Sequence, residues 1–311
     1  MVDEKVLISS YKNPDMDGTA CIYAYREFLI QRGIRAEGAI FGRPHREAEF
    51  VLKECKIKKL EKAEKIITRF NKIVIVDASD PRDLPRKIKR MKVIEVIDHR
   101  KINRVENFPK AKAQIELVGA AATLIAEKFY KKRVPISRQS ATLLYLAIVS
   151  NTDNFQGIVT ARDRAMARWL NTKAKVAKTF IRKMFMAKSK FNQPLVQVLA
   201  GDMKTLRVDK IVIGIAQLEI LDLGKFVKKN REKIYKALRY IKRKHRFNYF
   251  FLNMIDLGKG FNFMVVIDAL TQALVEKALR LKFANGLART KRILMRKKIS
   301  VKISNFLQKS L

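Results

Sequence analysis

Three apolar runs of strand length fall in the first hundred residues, "KVLISS", "KIVIVD" and "MKVIEVID". They are nearly continuous, as strands buried on both faces must be, and such strands need helices above and below them. Amphipathic helical stretches accompany them, at residues 18–32, 45–54, 120–131 and 161–171. This predicts an α/β fold whose N-terminal domain is a parallel sheet covered by helices. From about residue 205 the rhythm changes to longer runs, "KIVIGIAQLEIL", "NYFFLNMIDL", "FNFMVVID" and "ILMRKKISVKIS", read as strands with helices between them. A smaller C-terminal α/β domain with a mixed sheet is expected there. Polar residues and Pro194 interrupt two helical patterns over residues 187–197, as a domain boundary would. The expected division is 1–187, a linker at 188–197, and 198–311.

Charge bears on partners. There are 67 Lys plus Arg against 29 Asp plus Glu, a formal net charge of +38. That excess attracts polyanions and disfavours cationic partners, but says nothing of fold. The clusters "KTFIRKMFMAKSK", "KKNREKIYKALRYIKRKHR" and "RTKRILMRKK" are candidates to face RNA, polyphosphate or membrane phosphates. In the second, Ile234, Leu238 and Ile241 recur at helical spacing, which leaves the cations on a solvated face. No apolar stretch is long enough to span a bilayer, and the start "MVDEKVLIS" lacks the pattern of a signal peptide. A soluble cytoplasmic protein with no membrane partner is expected. Cys21 and Cys55 lie in helical patterns without a CxxC and read as buried thiols.

Each of the first three strand candidates leads to acid. "VLIS" leads to Asp15 and Asp17, "IVIVD" ends at Asp77, and "VIEVID" ends at Asp98, followed by His99. In open parallel sheets the crevice outside the carboxyl ends of the strands is the usual ligand site, so these groups are expected to converge there. Crowded carboxylates repel unless a cation lies between them, and an oxygen-rich set with an imidazole suits manganese or magnesium, with two ions expected. Taken singly, "NPDMDG" is as readily a turn and helix cap, and Asp98 with His99 a cap with a satisfied histidine. Three acidic strand ends in succession favour the metal. His45 and His245 sit among charged residues and read as solvated.

The motifs "YKNPDMDG", "IVIVD", "VIDHR" and "SNTDNF", in this order and at these separations, resemble the four motifs of the DHH phosphoesterases. "FGRPHREAEFVL" is similar to a segment of the manganese-dependent, family II inorganic pyrophosphatases. "GDMKTLRVDKIVIGIAQLEILDL" and "RILMRKK" resemble the start and end of the DHHA2 domain, found in those pyrophosphatases and in prune-type exopolyphosphatases. The Gly-Gly-His signature of the nucleic-acid branch of the superfamily does not occur. The resemblance implies that Asp15 and Asp17 each bind one of two metal ions, that Asp77 bridges them, and that His99 is a further ligand. It puts Asp98, His99 and Arg100 in the catalytic triplet, with Asp98 orienting the histidine. It makes Lys204, Arg296 and Lys297, together with Arg100, the cations that grip phosphate, with Gln217 near them.

Three positions depart from the pyrophosphatase pattern. Tyr11 stands where those enzymes have a histidine, Arg100 replaces the second histidine of the DHH triplet as it does in prune-type enzymes, and Asn151 occupies the place of a metal-ligating aspartate. Asp153 follows two residues later; it points elsewhere if the segment is helical and becomes a candidate ligand if it unwinds. The expected activity is metal-assisted, in-line hydrolysis of a phosphoanhydride, with pyrophosphate or short polyphosphate as substrate and the two domains closing on it. The rival expectations are a DHH protein that binds phosphate, nucleotide or polyanion without turnover, and a phosphoesterase of nucleic-acid ends. A homodimer and non-specific polyanion binding are compatible with either.

Overall fold

The structure is a computed structural model, and it describes residues 5–101 and 103–309. The chain divides into two compact units, Met1–Ala187 and Lys188–Leu311.

The first unit runs β1 (Val6–Ser9), α1 (Met16–Gln31), β2 (Ala36–Ile40), α2 (Arg46–Glu54), β3 (Glu61–Lys62), α3 (Ala63–Ile66), β4 (Lys72–Val76), β5 (Lys92–Asp98) and β6 (Lys112–Ile115), then α4 (Ala121–Lys132), α5 (Arg138–Asn151), α6 (Ala161–Ala174) and α7 (Lys178–Lys188). Its six strands form one parallel sheet in the order β3-β2-β1-β4-β5-β6. The parallel, helix-covered sheet expected from the apolar runs is therefore present. Every residue of β1 is buried and only Lys72 of β4 is not, the signature of strands covered on both faces. The order matters for function: the chain winds outward from β1 to β2 and β3, then returns to place β4 on the other side of β1. That reversal is a topological switch point, where strand ends diverge and leave a crevice.

"ATLLYLAIVS", the longest apolar stretch, lies in α5, whose Leu143, Leu144, Leu146, Ala147, Ile148 and Val149 are all fully buried. A helix that is apolar all round must be enclosed, and α5 packs against α1, α4 and α6. Among the described residues no helix is long and apolar enough to cross a membrane.

The second unit runs α8 (Leu195–Gly201), β7 (Met203–Val208), β8 (Ile211–Ile220), α9 (Leu223–Lys244), β9 (Tyr249–Asp256), β10 (Asn262–Val266), α10 (Ala269–Leu279), β11 (Leu287–Arg289) and α11 (Arg296–Gln308). Its sheet, β11-β10-β9-β8-β7, is mixed: β8 and β9 are parallel and the remaining pairs antiparallel. Along β8, Ala216, Leu218 and Ile220 face a core shared with α8 and α9, while Ile213 and Ile215 face one shared with α10 and α11. As the spacing of Ile234, Leu238 and Ile241 requires, α9 buries these residues and exposes Lys228, Lys229, Lys236 and Arg239 to solvent.

One expected strand is a helix. "ILMRKKISVKIS" alternates apolar and polar residues over Ile299, Val301 and Ile303, yet residues 296–308 form α11. The residues that bury are Ile299, Ile303 and Leu307, four apart, whereas Val301 is 55% exposed. The helical stripe wins because it buries three aliphatic side chains, worth roughly 1.5–3 kcal/mol each, and what separates it from the strand register is Val301, which a strand would put on the same face as Ile299 and Ile303 and which the helix leaves in solvent.

Candidate metal centre

Asp15 and Asp17 occupy the turn after β1 and the start of α1. Asp15 is the N-cap: its Oδ1 accepts from the backbone N–H groups of Asp17 at 2.8 Å and Gly18 at 3.1 Å, satisfying helix donors that have no partner of their own. The cap expected of "NPDMDG" is therefore present. Asp17, in the first turn of α1, is buried and points toward the start of α4. Its Oδ2 accepts from Ala121 N–H at 2.7 Å and its Oδ1 from Ala122 N–H at 2.8 Å, so a carboxylate lies on a helix N-terminus.

Asp77 follows β4 directly. Its φ of +52° is a left-handed conformation that Asp tolerates better than most residues but still at a cost of about 1–3 kcal/mol. Its N–H still continues the sheet ladder to Ile97 O at 2.8 Å, while the side chain sits beside α1. Gly18 makes that approach possible: a Cβ there would lie 3.3 Å from Asp77 Oδ2 and 3.1 Å from Ser10 Oγ. Asp77 is buried, and its Oδ1 has no hydrogen-bond partner.

His99 closes the cluster from the end of β5. Its Nδ1 lies 3.0 Å from the Val118 carbonyl, an acceptor only, so Nδ1 donates there and Nε2 points inward. Nε2 is 3.6 Å from Asp77 Oδ1 and 3.9 Å from Asp17 Oδ2. Asp98 holds the ring in place through the backbone: its Oδ1 accepts the His99 N–H at 2.8 Å, and its Oδ2 accepts the Ser79 hydroxyl.

Asp17, Asp77 and His99 are the one ligand group among the described residues, with ligand atoms all within 4.8 Å of one another. Two carboxylates and an imidazole suit a divalent ion such as manganese, and two buried carboxylates side by side, with Asp77 Oδ1 lacking a hydrogen-bond partner, are the arrangement that a cation would relieve. Electrostatics agree. Burial, then the charge of Asp15, pushes Asp17 up to about 6, although His99 and the α4 amides pull the other way. Burial and the charge of Asp17 hold Asp77 well above the usual carboxylate range, with Arg100 offsetting part.

The three departing positions all have defined places. Asn151, the last residue of α5, donates from Nδ2 to Asp17 Oδ2 at 3.2 Å and to Gly119 O at 3.0 Å, and lies 3.4 Å from His99 Nε2. Asp153 lies outside this cluster. The helix stops at Asn151, and Asp153, Asn154 and Phe155 follow with φ of 48°, 56° and 62°. That left-handed run carries the buried Asp153 carboxyl toward Gly157, where a Cβ would meet Asp153 Oδ2 at 2.8 Å. The segment unwinds after Asn151, and Asp153 does not join the ligand group. Tyr11 accepts the Asp15 N–H at 3.2 Å, and burial, with Asp15 and Asp77 beyond it, keeps its phenol protonated. Arg100 lies over the Tyr11 ring, with 5.4 Å to the centroid, and donates from Nη2 to Asp77 O at 2.9 Å.

Several supporting groups carry no motif signal of their own. Asp163 accepts Gly119 N–H at 2.8 Å and the Thr123 hydroxyl at 2.6 Å, fixing the segment that offers Val118 O, Gly119 O and the Ala121 and Ala122 amides. Gly119 admits that contact; a Cβ would sit 2.9 Å from Asp163 Oδ2. The small residues of "GAAAT" before a helix were the available signal.

In the second unit, Lys204 lies exposed on β7 and Lys297 exposed in the first turn of α11. Arg296, the first residue of α11, is bound by Asp202: Nη1 donates to its carbonyl and Nη2 to Oδ1, both at 2.6 Å. Gln217 Oε1 accepts Asn253 Nδ2–H at 3.1 Å and faces Arg296 N at 3.4 Å. Asn253 and Asn262 both donate to Leu294 O, at 3.2 Å and 2.8 Å. This buried amide row fixes the backbone that leads into Arg296. His45 and His245 are exposed.

A protein of Bacillus mycoides, named "Probable manganese-dependent inorganic pyrophosphatase", is 26% identical over 298 residues, covering 95% of this chain and 96% of that protein. A Bacillus velezensis protein of the same name is 27% identical over the same shares. A crystal structure of a Methanococcus jannaschii protein named "putative family II inorganic pyrophosphatase" covers 96% of this chain and 98% of that one with a TM-score of 0.72 at 24% identity, a likeness of fold. Residues 5–148 match the DHH family, N-terminal domain, and residues 182–301 match the DHHA2 domain. The chain thus carries a DHH-family N-terminal domain followed by a DHHA2 domain.

Proposed function

We propose that this protein is a metal-dependent hydrolase of phosphoanhydrides, acting on inorganic pyrophosphate or short polyphosphate. The observation that carries the reading is the convergence of Asp17, Asp77 and His99 at the switch point, with Asp77 Oδ1 buried and without a hydrogen-bond partner. The names of the Bacillus relatives support manganese as the ion and pyrophosphate as the substrate.

Asp17, Asp77 and His99 would hold the ion, which supplies Lewis-acid polarisation of phosphoryl oxygen and activation of the attacking water. Asp98 positions His99. The Arg100 guanidinium, held at Asp77, offers charge and N–H donors to a phosphoryl oxygen. Phosphate binding in the second unit falls to Lys204, Arg296 and Lys297: two movable ammonium groups and one guanidinium with a fixed origin. Residues 1–187 and 198–311 then act as catalytic and substrate-binding domains. The free thiols of Cys21 and Cys55 suit a reducing compartment and support the cytoplasm as the location.

A second reading, binding without turnover, is favoured by Asn151, which offers an N–H donor where the resemblance calls for a carboxylate. Phosphate release from pyrophosphate, tripolyphosphate and a short oligoribonucleotide, with manganese and then with chelator, separates the readings. Manganese-dependent release from the first two alone is expected. A metal-loaded protein that releases none from any of them is a binding protein.

A further inference from the structure

We propose that the centre holds one divalent ion per chain and that the Arg100 guanidinium serves as its fixed second cation. The inference rests on the metal-dependent reading above and narrows it to an ion count.

Asp77 faces two ways. On one side its Oδ1 lies 3.6 Å from His99 Nε2, within the group completed by Asp17. On the other, the same oxygen lies 3.6 Å from Arg100 Nη2. A second ion bridged by Asp77 would need ligands on this second side, and the groups there are poorly suited. Tyr11 presents a neutral phenol whose oxygen already takes the Asp15 N–H. Asp15 has Oδ1 engaged by two amides of α1 and is absent from the ligand group.

Arg100 cannot readily yield the space. Nη2 donates to Asp77 O at 2.9 Å, Nε lies 3.7 Å from Asp98 Oδ1, Nη1 lies 3.7 Å from Asp83 Oδ2, and the guanidinium rests over Tyr11. A permanent charge anchored in this way neutralises Asp77 and repels a second dication. It also does part of the work of one, because it can meet phosphoryl oxygen without being lost to a chelator.

Manganese titration of the full-length protein by calorimetry, with electron paramagnetic resonance of the bound ion, tests this. One ion per chain is expected, with the hyperfine pattern of an isolated manganese. Arg100→Gln should bind that ion about tenfold tighter, the change that about 1.4 kcal/mol produces, and Arg100→Lys, which keeps the charge, should bind as the parent does. Thermal unfolding of each variant reports whether it is folded. Two ions per chain, or an exchange-coupled spectrum, overturns the ion count and leaves metal-dependent hydrolysis standing. No manganese bound at all overturns both. Unchanged affinity in a folded Arg100→Gln removes Arg100 from the role of second cation.

Discussion

Asn151 and Asp17 are joined across the centre: the amide of one, at the last residue of α5, donates at 3.2 Å to the carboxylate of the other, at the first turn of α1. A donor at this point satisfies Asp17 without a metal, where a carboxylate would repel it.

Asn151→Asp should therefore lower the melting temperature of the metal-free protein and tighten manganese binding on the order of tenfold, since one pKa unit of added like charge is worth about 1.4 kcal/mol. Asp153→Asn, two residues on and outside the cluster, should leave manganese affinity at the parent value. Calorimetric titration of both variants decides which residue serves the site; loss of binding in Asp153→Asn would reverse the assignment.

The buried carboxylates make stability depend on pH. Burial raises Asp17 from 3.8 to about 6 in the folded chain, so the native state holds its proton more tightly than the unfolded state does. That contribution is complete below the unfolded value and is lost as pH rises through about 6. In chelator, the melting temperature of the parent should fall more between about pH 4 and 7 than that of Asp17→Asn. Saturating manganese binds the ionised form and should abolish the difference at the upper end.

Arg296→Ala should slow turnover on pyrophosphate by roughly 10²-fold with manganese stoichiometry unchanged. The guanidinium is held by Asp202, so Asp202→Ala should reproduce part of the loss, mostly in KM. Lys297→Ala, at an exposed flexible side chain, should cost less. Steady-state kinetics beside a metal titration separate these outcomes, and parental activity in Arg296→Ala would return "RILMRKK" to the solvated surface.

Ile303→Ala should destabilise the protein by about 2–5 kcal/mol and Val301→Ala by less than about 0.5. Chemical denaturation measures both. Similar losses at the two sites would contradict the helical face of α11.

The parallel sheet, the mixed second sheet and the acids at the strand ends were legible in the sequence because they are local. Unbroken aliphatic runs leave no solvent face, and an acid that directly follows a strand is carried to the carboxyl edge of the sheet whatever the rest of the chain does. Asp77 and His99 could be placed beside Asp17 on those grounds alone.

What the tertiary structure decided depends on angles a few residues long or on partners far along the chain. Residues 296–308 fit two periods, and only the core against β8, β9 and α10 selects the one that buries Ile299, Ile303 and Leu307 and leaves Val301 in solvent. Helix α5 stops at Asn151, so one residue turns inward and Asp153 is carried past by three left-handed residues. The Ala121 and Ala122 amides reach Asp17 from over a hundred positions away, a pairing no local pattern encodes. The family resemblance makes Arg100 a cation for phosphate; its anchoring by Asp77, Asp98 and the Tyr11 ring appears only when three strand ends meet, because hydrogen-bond geometry is set by the packed crevice and not by the residues that flank it.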